Sequence, residues 1–161
     1  MLTQDVTIRL ATALDAASIK QMIVDLADFQ NHRQDVKAST DAIRQQMSQQ
    51  KPPFECLLAE VDGVAAGFAL FYGMYSTWEG QNGLFLEDLF VYPQFRGSGV
   101  GKKLLSALTD IACARGCTRL DWMVQNDNSS AQTFYANFGA ATIPGWSRWR
   151  LELPAGEAQT L

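Results

Sequence analysis

Short alternating runs and longer helical periods follow one another along the chain. Val6 to Leu10 alternates apolar and polar residues, the two-residue period of a half-buried strand. Thr12-Ala-Leu-Asp15 has the form of a capping box with Asp in place of Glu. Ile19, Met22, Ile23, Leu26 and Phe29 then recur at three- and four-residue steps, so a helix with one apolar stripe is predicted there. Gln30 to Lys37 is polar and reads as a loop. Thr40 to Gln50 reads as a short polar helix, closed by Lys51-Pro52-Pro53. Two strands, Phe54–Val61 and Val64–Tyr75, are predicted on either side of Asp62-Gly63, a dipeptide that accepts the positive φ angles of a tight hairpin. A second turn over Gly80–Gly83 leads to a strand over Leu84–Tyr92, which stops at Pro93. Val100, Leu104, Leu105, Leu108, Ile111 and Ala112 carry the helical period, and Gly116 ends that helix. A strand over Leu120–Val124, a helix over Ser129–Phe138 closed by Gly139, and a last strand over Trp146–Leu153 complete the pattern. These elements predict one α/β domain over residues 1–161, with a hairpin-built sheet and helices on its faces.

Composition narrows the class. At 161 residues, with 47% hydrophobic and 19% charged residues, the chain can bury one substantial core and is neither disordered nor a coiled coil. No apolar run reaches the roughly 18–20 residues of a membrane helix, and the opening MLTQDVTIRL has no secretory pattern, so a cytoplasmic protein is expected. The net charge of −4, without a basic cluster, argues against a nucleic-acid partner and suits a cationic small molecule. Cys56, Cys113, Cys117 and the lone His32 lack the spacing of a ligand set. The cysteines are read as buried small hydrophobes, and no metal is expected.

Arg96-Gly97-Ser98-Gly99-Val100-Gly101-Lys102 lies between a predicted strand and a predicted helix. Free backbone N–H groups and the positive end of a helix dipole meet at such a place, and both favour phosphate. Glycine lets the backbone approach an anion closely. Two familiar phosphate loops are excluded by spacing. A Walker A loop needs glycine where Arg96 stands and Ser or Thr where Lys103 stands. A dinucleotide loop needs glycine at Lys102.

The pattern that does fit, Arg/Gln-x-x-Gly-x-Gly over Arg96–Gly101, resembles the pyrophosphate loop of the GNAT superfamily of N-acetyltransferases. Leu86-Glu87-Asp88-Leu89-Phe90-Val91-Tyr92-Pro93 resembles that superfamily's lead-in strand. Asn126-Asp127-Asn128-Ser129-Ser130-Ala131, Phe134-Tyr135 and Phe138-Gly139-Ala140 resemble its last motif, with Phe-Gly in place of the more usual Gly-Phe. The resemblance runs from Ile8 to about Leu151. Phe54–Val61, Gly67-Phe68-Ala69, Tyr75, Trp78 and Leu86-Glu87-Asp88 are further similar to the diamine (spermidine/spermine-type) and thialysine acetyltransferases. Two positions depart from that subgroup: Ser76 and Ser147 stand where it carries acids.

The resemblance implies the GNAT fold, with a central, mixed, mostly antiparallel sheet flanked by helices, and acetyl-CoA as co-substrate. It implies cofactor contacts at Leu89, Phe90, Val91, Arg96, Gly97, Ser98, Gly99, Val100, Gly101, Lys102, Asn128, Ser130, Ala131 and Tyr135. It assigns an oxyanion-binding N–H near Val91, makes Tyr135 the acid that protonates the departing thiolate, and implies a homodimer. Asn128 caps its helix, contacts the pantetheine arm, or does both. Lys102 and Lys103 neutralise phosphate or are merely solvated.

Acetyl transfer to an amine at neutral pH must first deprotonate an ammonium of pKa about 10.4, at a cost of roughly 4.6 kcal/mol. Glu87, at the strand end before the loop, is the candidate base. Asp88 points to the opposite face of an ideal strand. It holds the cationic substrate if the strand is bulged there, as the resemblance suggests, or it is structural. Trp78, with Tyr75 and Phe85, is expected to form an aromatic wall for the amine. His32 is expected in a surface loop. The leading function is therefore acetyl-CoA-dependent N-acetylation of a small primary amine, of diamine or thialysine type. A protein lysine, an amino acid or an antibiotic amine is the alternative acceptor, and a non-catalytic acyl-CoA sensor the alternative class. The serines at 76 and 147 remove two partners for a distal ammonium, each about 1 kcal/mol, which predicts short amines over spermine by about 25-fold.

Overall fold

The computed structural model describes residues 5–154. The elements run β1 (Val6–Leu10), α1 (Ala16–Phe29), α2 (Thr40–Met47), β2 (Glu55–Val61), β3 (Val64–Ser76), β4 (Gln81–Val91), α3 (Val100–Ala114), β5 (Leu120–Trp122) and α4 (Ser129–Phe138). They fall into two compact units, one through Met123 and one from Val124. Among the described residues no helix is long and apolar enough to cross a membrane.

The first unit holds one open sheet in the order β1-β2-β3-β4-β5. The first four strands pair antiparallel and β5 joins β4 in parallel, giving the mixed, mostly antiparallel sheet expected. Asp62 (φ 50°) and Gly63 (φ 79°) turn β2 into β3, as their sequence predicts for a two-residue primed turn. The Thr12–Asp15 capping box forms: Leu14 N–H donates to Thr12 Oγ1 (3.3 Å) and Thr12 N–H to Asp15 Oδ2 (2.8 Å). It closes a single 3-10 turn at the entry to α1. Arg9 on β1 donates to Asp15 (2.9 Å) and Glu60 (2.7 Å), and its guanidinium holds the Asp15 carboxyl down at about 2.

Two apolar layers sandwich the sheet. On one face Ile19 and Met22 of α1 and Ile43 of α2 pack on Cys56, Leu58, Phe68, Leu70 and Phe90. The alternate positions Leu57, Ala59, Phe71 and Leu86 are also buried, as are Leu104, Leu105 and Leu108 of α3, which packs on β2, β3 and β4. Cys56 lies in the first layer, where burial pushes its thiol up to about 12. Cys113, by contrast, is exposed, because it follows the buried stripe of α3 that ends at Ala112. The reading of all three cysteines as buried hydrophobes therefore holds for Cys56 and fails for Cys113.

In the second unit α4 has the predicted bounds. Asn128 Oδ1 accepts from Ala131 N–H (3.1 Å) at its start, and Gly139 (φ 101°) closes it. The strand expected over Trp146–Leu153 does not form; residues 146–154 are irregular and exposed throughout. An alternating pattern becomes a strand only when a ladder neighbour and a covered face stabilise it. Neither face of this segment is covered, with Trp149 91% exposed. The strand expected over Leu120–Val124 is shorter, ending at Trp122, whereas that expected from Leu84 begins earlier, at Gln81.

Candidate functional site

β4 leaves the sheet at Val91, passes a 3-10 turn over Pro93–Phe95 and enters the glycine loop. Gly97 (φ 77°) and Gly99 (φ 86°) adopt backbone that favours glycine, and an added Cβ would meet nothing within 4 Å at either position. Conformation, not crowding by the rest of the chain, requires glycine there. Gly99 is the N-cap of α3 and supplies no capping side chain. The first intrahelical bond is Lys103 N–H to Gly99 C=O at 3.0 Å, so the N–H groups of Val100, Gly101 and Lys102 have no helical partner. They stand at the positive end of a 15-residue helix. The Val100 side chain is buried, while Lys102 and Lys103 are exposed.

Two side chains fasten the loop. Ser98 Oγ donates to Phe95 C=O at 2.6 Å. Arg96 Nε donates to Val91 C=O at 2.8 Å, and the guanidinium lies 5.1 Å from the Phe29 ring centroid and 5.9 Å from that of Phe90. The Arg96 side chain thus turns back onto β4 and α1. Phe90 is buried, edge-on to Tyr92 at 5.1 Å, while Leu89 is half-buried.

Upstream, β4 carries a bulge. Leu70 pairs with Asp88 and Phe71 with Leu86, which leaves Glu87 as the extra residue. Its carboxylate accepts from Tyr72 O–H at Oε2 (2.9 Å), and the Tyr72 ring stacks on Phe85 with centroids 5.4 Å apart. Asp88 lies opposite Leu70, two residues from Tyr72 on the same face of β3. The strict alternation expected of an ideal strand is therefore broken, and both acids serve the face that packs against α1. Burial first, and the neighbouring Glu87 charge second, push the Asp88 carboxyl up to about 6. β5 runs alongside β4 only at Leu84–Leu86. Beyond the bulge, β4 has a strand on one side only among the described residues.

The other predicted groups are placed as follows. Trp78 is 86% and Tyr75 60% exposed, whereas Phe85 stacks on Tyr72, so the three do not form one wall. Ser76 is only 5% exposed; its Oγ accepts from Glu79 N–H (3.3 Å) and Arg119 Nη1 (3.4 Å). The Glu79 carboxylate accepts from Thr118 Oγ1. His32 is in an exposed loop with Nδ1 2.8 Å from Asp35 Oδ2. In the second unit Tyr135 is half-buried, edge-on to Phe134 at 5.2 Å, with Ser130 exposed and Ala131 half-buried on the first turn of α4. Tyr72 is the residue that sequence reasoning missed. Its distance from Glu87 depends on the β3–β4 register, which no local signal reveals.

The sequence profile of the acetyltransferase (GNAT) family matches residues 20–140. The thialysine N-epsilon-acetyltransferase of Mus musculus is 35% identical over 162 residues, covering 94% of this chain and 93% of the relative. An integron cassette protein of V. cholerae superimposes with a TM-score of 0.75 at 26% identity, covering 91% of this chain and 92% of its own. An aminoglycoside N-acetyltransferase in complex with CoA has a TM-score of 0.75 at 22% identity, covering 93% and 97%, and shares the fold.

Proposed function

Because the chain belongs to the acetyltransferase (GNAT) family and is an N-acetyltransferase, we propose that it moves the acetyl group of acetyl-CoA to the primary amine of a small molecule, of diamine or thialysine type. The observation that carries this reading is the arrangement of one strand: β4 has a bulged acidic pair at Glu87–Asp88 and leads directly into an uncapped helix N-terminus. The name of the mouse relative supports a small amine as acceptor. The family match crosses from the first unit into the second, which supports reading residues 1–161 as one catalytic domain.

Acetyl-CoA supplies an activated acetyl group when bound. The N–H groups of Val100, Gly101 and Lys102 suit its pyrophosphate, since they offer unpaired donors at a positive dipole end. Gly97, Ser98 and Gly99 shape that cradle, Arg96 fastens it to Val91, and Lys102 adds positive charge. The one-sided edge of β4 at Leu89, Phe90 and Val91 offers main-chain groups to an extended pantetheine arm, and the family resemblance implies Asn128, Ser130 and Ala131 as further contacts. Glu87 takes the ammonium proton, directly or through water, and Asp88 and Trp78 hold the amine. On the family resemblance, the Val91 N–H would stabilise negative charge on the acetyl carbonyl oxygen and Tyr135 would supply the proton for the leaving sulfur. The protein works in the cytoplasm as a homodimer, and the exposed apolar run at Trp146, Trp149, Leu151 and Leu153 supports the dimer.

Acetyl-CoA consumption, followed as free thiol across a panel of thialysine, lysine, putrescine, spermidine, spermine, an aminoglycoside and a lysine peptide, tests the reading. Turnover fastest with a small diamine or thialysine supports it. Turnover confined to the peptide or the aminoglycoside reassigns the acceptor, and CoA binding without turnover on any amine overturns it.

A further inference from the structure

Glu87 occupies the bulged position of β4, and a bulged residue lacks the paired neighbour that holds an ordinary strand side chain. With three rotatable bonds, its carboxylate needs something else to fix it. Tyr72 meets that need. Its O–H donates to Oε2 at 2.9 Å, and among the described residues Oε1 accepts from no group. The phenol is itself held rigidly, because Tyr72 and Phe85 are direct cross-strand partners and their rings stack at 27°.

We propose that Tyr72 is a positioning residue: it fixes Glu87 through Oε2 and thereby presents Oε1 to the ammonium of the acceptor. The inference rests on the reading of Glu87 as the proton acceptor. Glu87 and Asp88 are adjacent acids on the same face, and the Glu87 charge disfavours ionisation of Asp88. The Tyr72 hydroxyl takes one Glu87 oxygen and leaves the other for the acceptor. It also ties Glu87 to the hydroxyl end of the Tyr72–Phe85 ring pair, whose faces suit the methylene chain and cation of an alkyl amine.

Tyr72→Phe keeps the ring on Phe85 and removes only the donor. With acetyl-CoA and thialysine, or whichever amine of the panel turns over fastest, kcat is expected to fall roughly tenfold, the scale of one hydrogen bond to a charged group. The KM for acetyl-CoA and the melting temperature are expected to stay at their wild-type values. In a Glu87→Gln background the further change Tyr72→Phe is expected to lower kcat no more, because the group it positions is already lost. Wild-type kcat in Tyr72→Phe beside a slow Glu87→Gln overturns the positioning role alone. A full tenfold loss that multiplies with that of Glu87→Gln also overturns it, since Tyr72 then acts independently. Wild-type turnover in Glu87→Gln instead removes Glu87 from the chemistry, and the proposal falls with it.

Discussion

At the scale of single residues, Asp88 shows most clearly how function and stability oppose each other. Its carboxyl is pushed up to about 6 in the folded protein, from about 3.8 for a free side chain. The folded state therefore holds this proton more tightly than the unfolded chain. The resulting stabilisation is complete below about pH 4 and is lost as pH rises through about 6. At pH 7.5 Asp88 is then a burden on the order of 3 kcal/mol. Asp88→Asn is expected to raise stability by that order at pH 7.5 and by only a small fraction of it at pH 4, as urea unfolding at the two values will read. If Asp88 holds the cation as proposed, the same variant is expected to raise the amine KM, because it removes that charge. No gain at pH 7.5 would show that this carboxyl ionises freely. Tyr135→Phe belongs to the same scale: kcat is expected to fall by about 10²–10⁴, with CoA affinity little changed. A folded variant with wild-type turnover would exclude Tyr135 as the acid. Glu87 and Asp88 stand out in the sequence as adjacent acids before a glycine loop. What the sequence leaves hidden is the bulge, because no residue type marks it, and with the bulge hidden the partnership with Tyr72 is hidden too.

At the scale of elements, legibility follows locality. Asp62-Gly63, the Thr12–Asp15 box and the glycines before α3 act within a few residues, through φ preference and nearby hydrogen bonds. Trp146–Leu153 has the right alternation and no strand, because what makes a strand there is a neighbour distant in sequence. The glycine loop also tells how to test itself. Gly99 has φ 86°, so Gly99→Val strains the backbone whatever the ligand does. Gly101 lies within α3 and needs no such backbone, so Gly101→Val is the cleaner variant. It is expected to weaken CoA binding by more than tenfold, by keeping the pyrophosphate from the helix N-terminus, while the protein stays folded. Calorimetry with CoA measures this. Unchanged affinity in folded Gly101→Val would place the pyrophosphate elsewhere.

At the scale of the whole molecule, assembly and substrate choice meet at the C-terminal segment. Four large apolar side chains lie exposed there, more than a solvent-facing run ordinarily keeps, so a two-fold dimer is expected. Light scattering at micromolar concentration is expected to give about twice the chain mass of 17.8 kDa, and a value near 18 kDa would reject the dimer. Substrate choice turns on the two serines, and the structure separates them. Ser76 is buried and bonded to Arg119, so an acid at that position would meet the guanidinium before any amine. Its absence therefore removes little from a polyamine site. Ser147 is exposed, and the lost acid there remains a lost partner for a distal ammonium. One partly solvated charge pair is worth about 1 kcal/mol, or roughly fivefold. The expected preference for putrescine or thialysine over spermine thus shrinks from the 25-fold read from sequence to about fivefold. Steady-state kcat/KM across thialysine, putrescine, spermidine and spermine measures it. Ser147→Glu is expected to bring spermine level with putrescine, while Ser76→Glu leaves the ratio unmoved. If spermine is the best substrate of the unaltered protein, its second ammonium finds an acid other than these, and the argument from Ser147 fails.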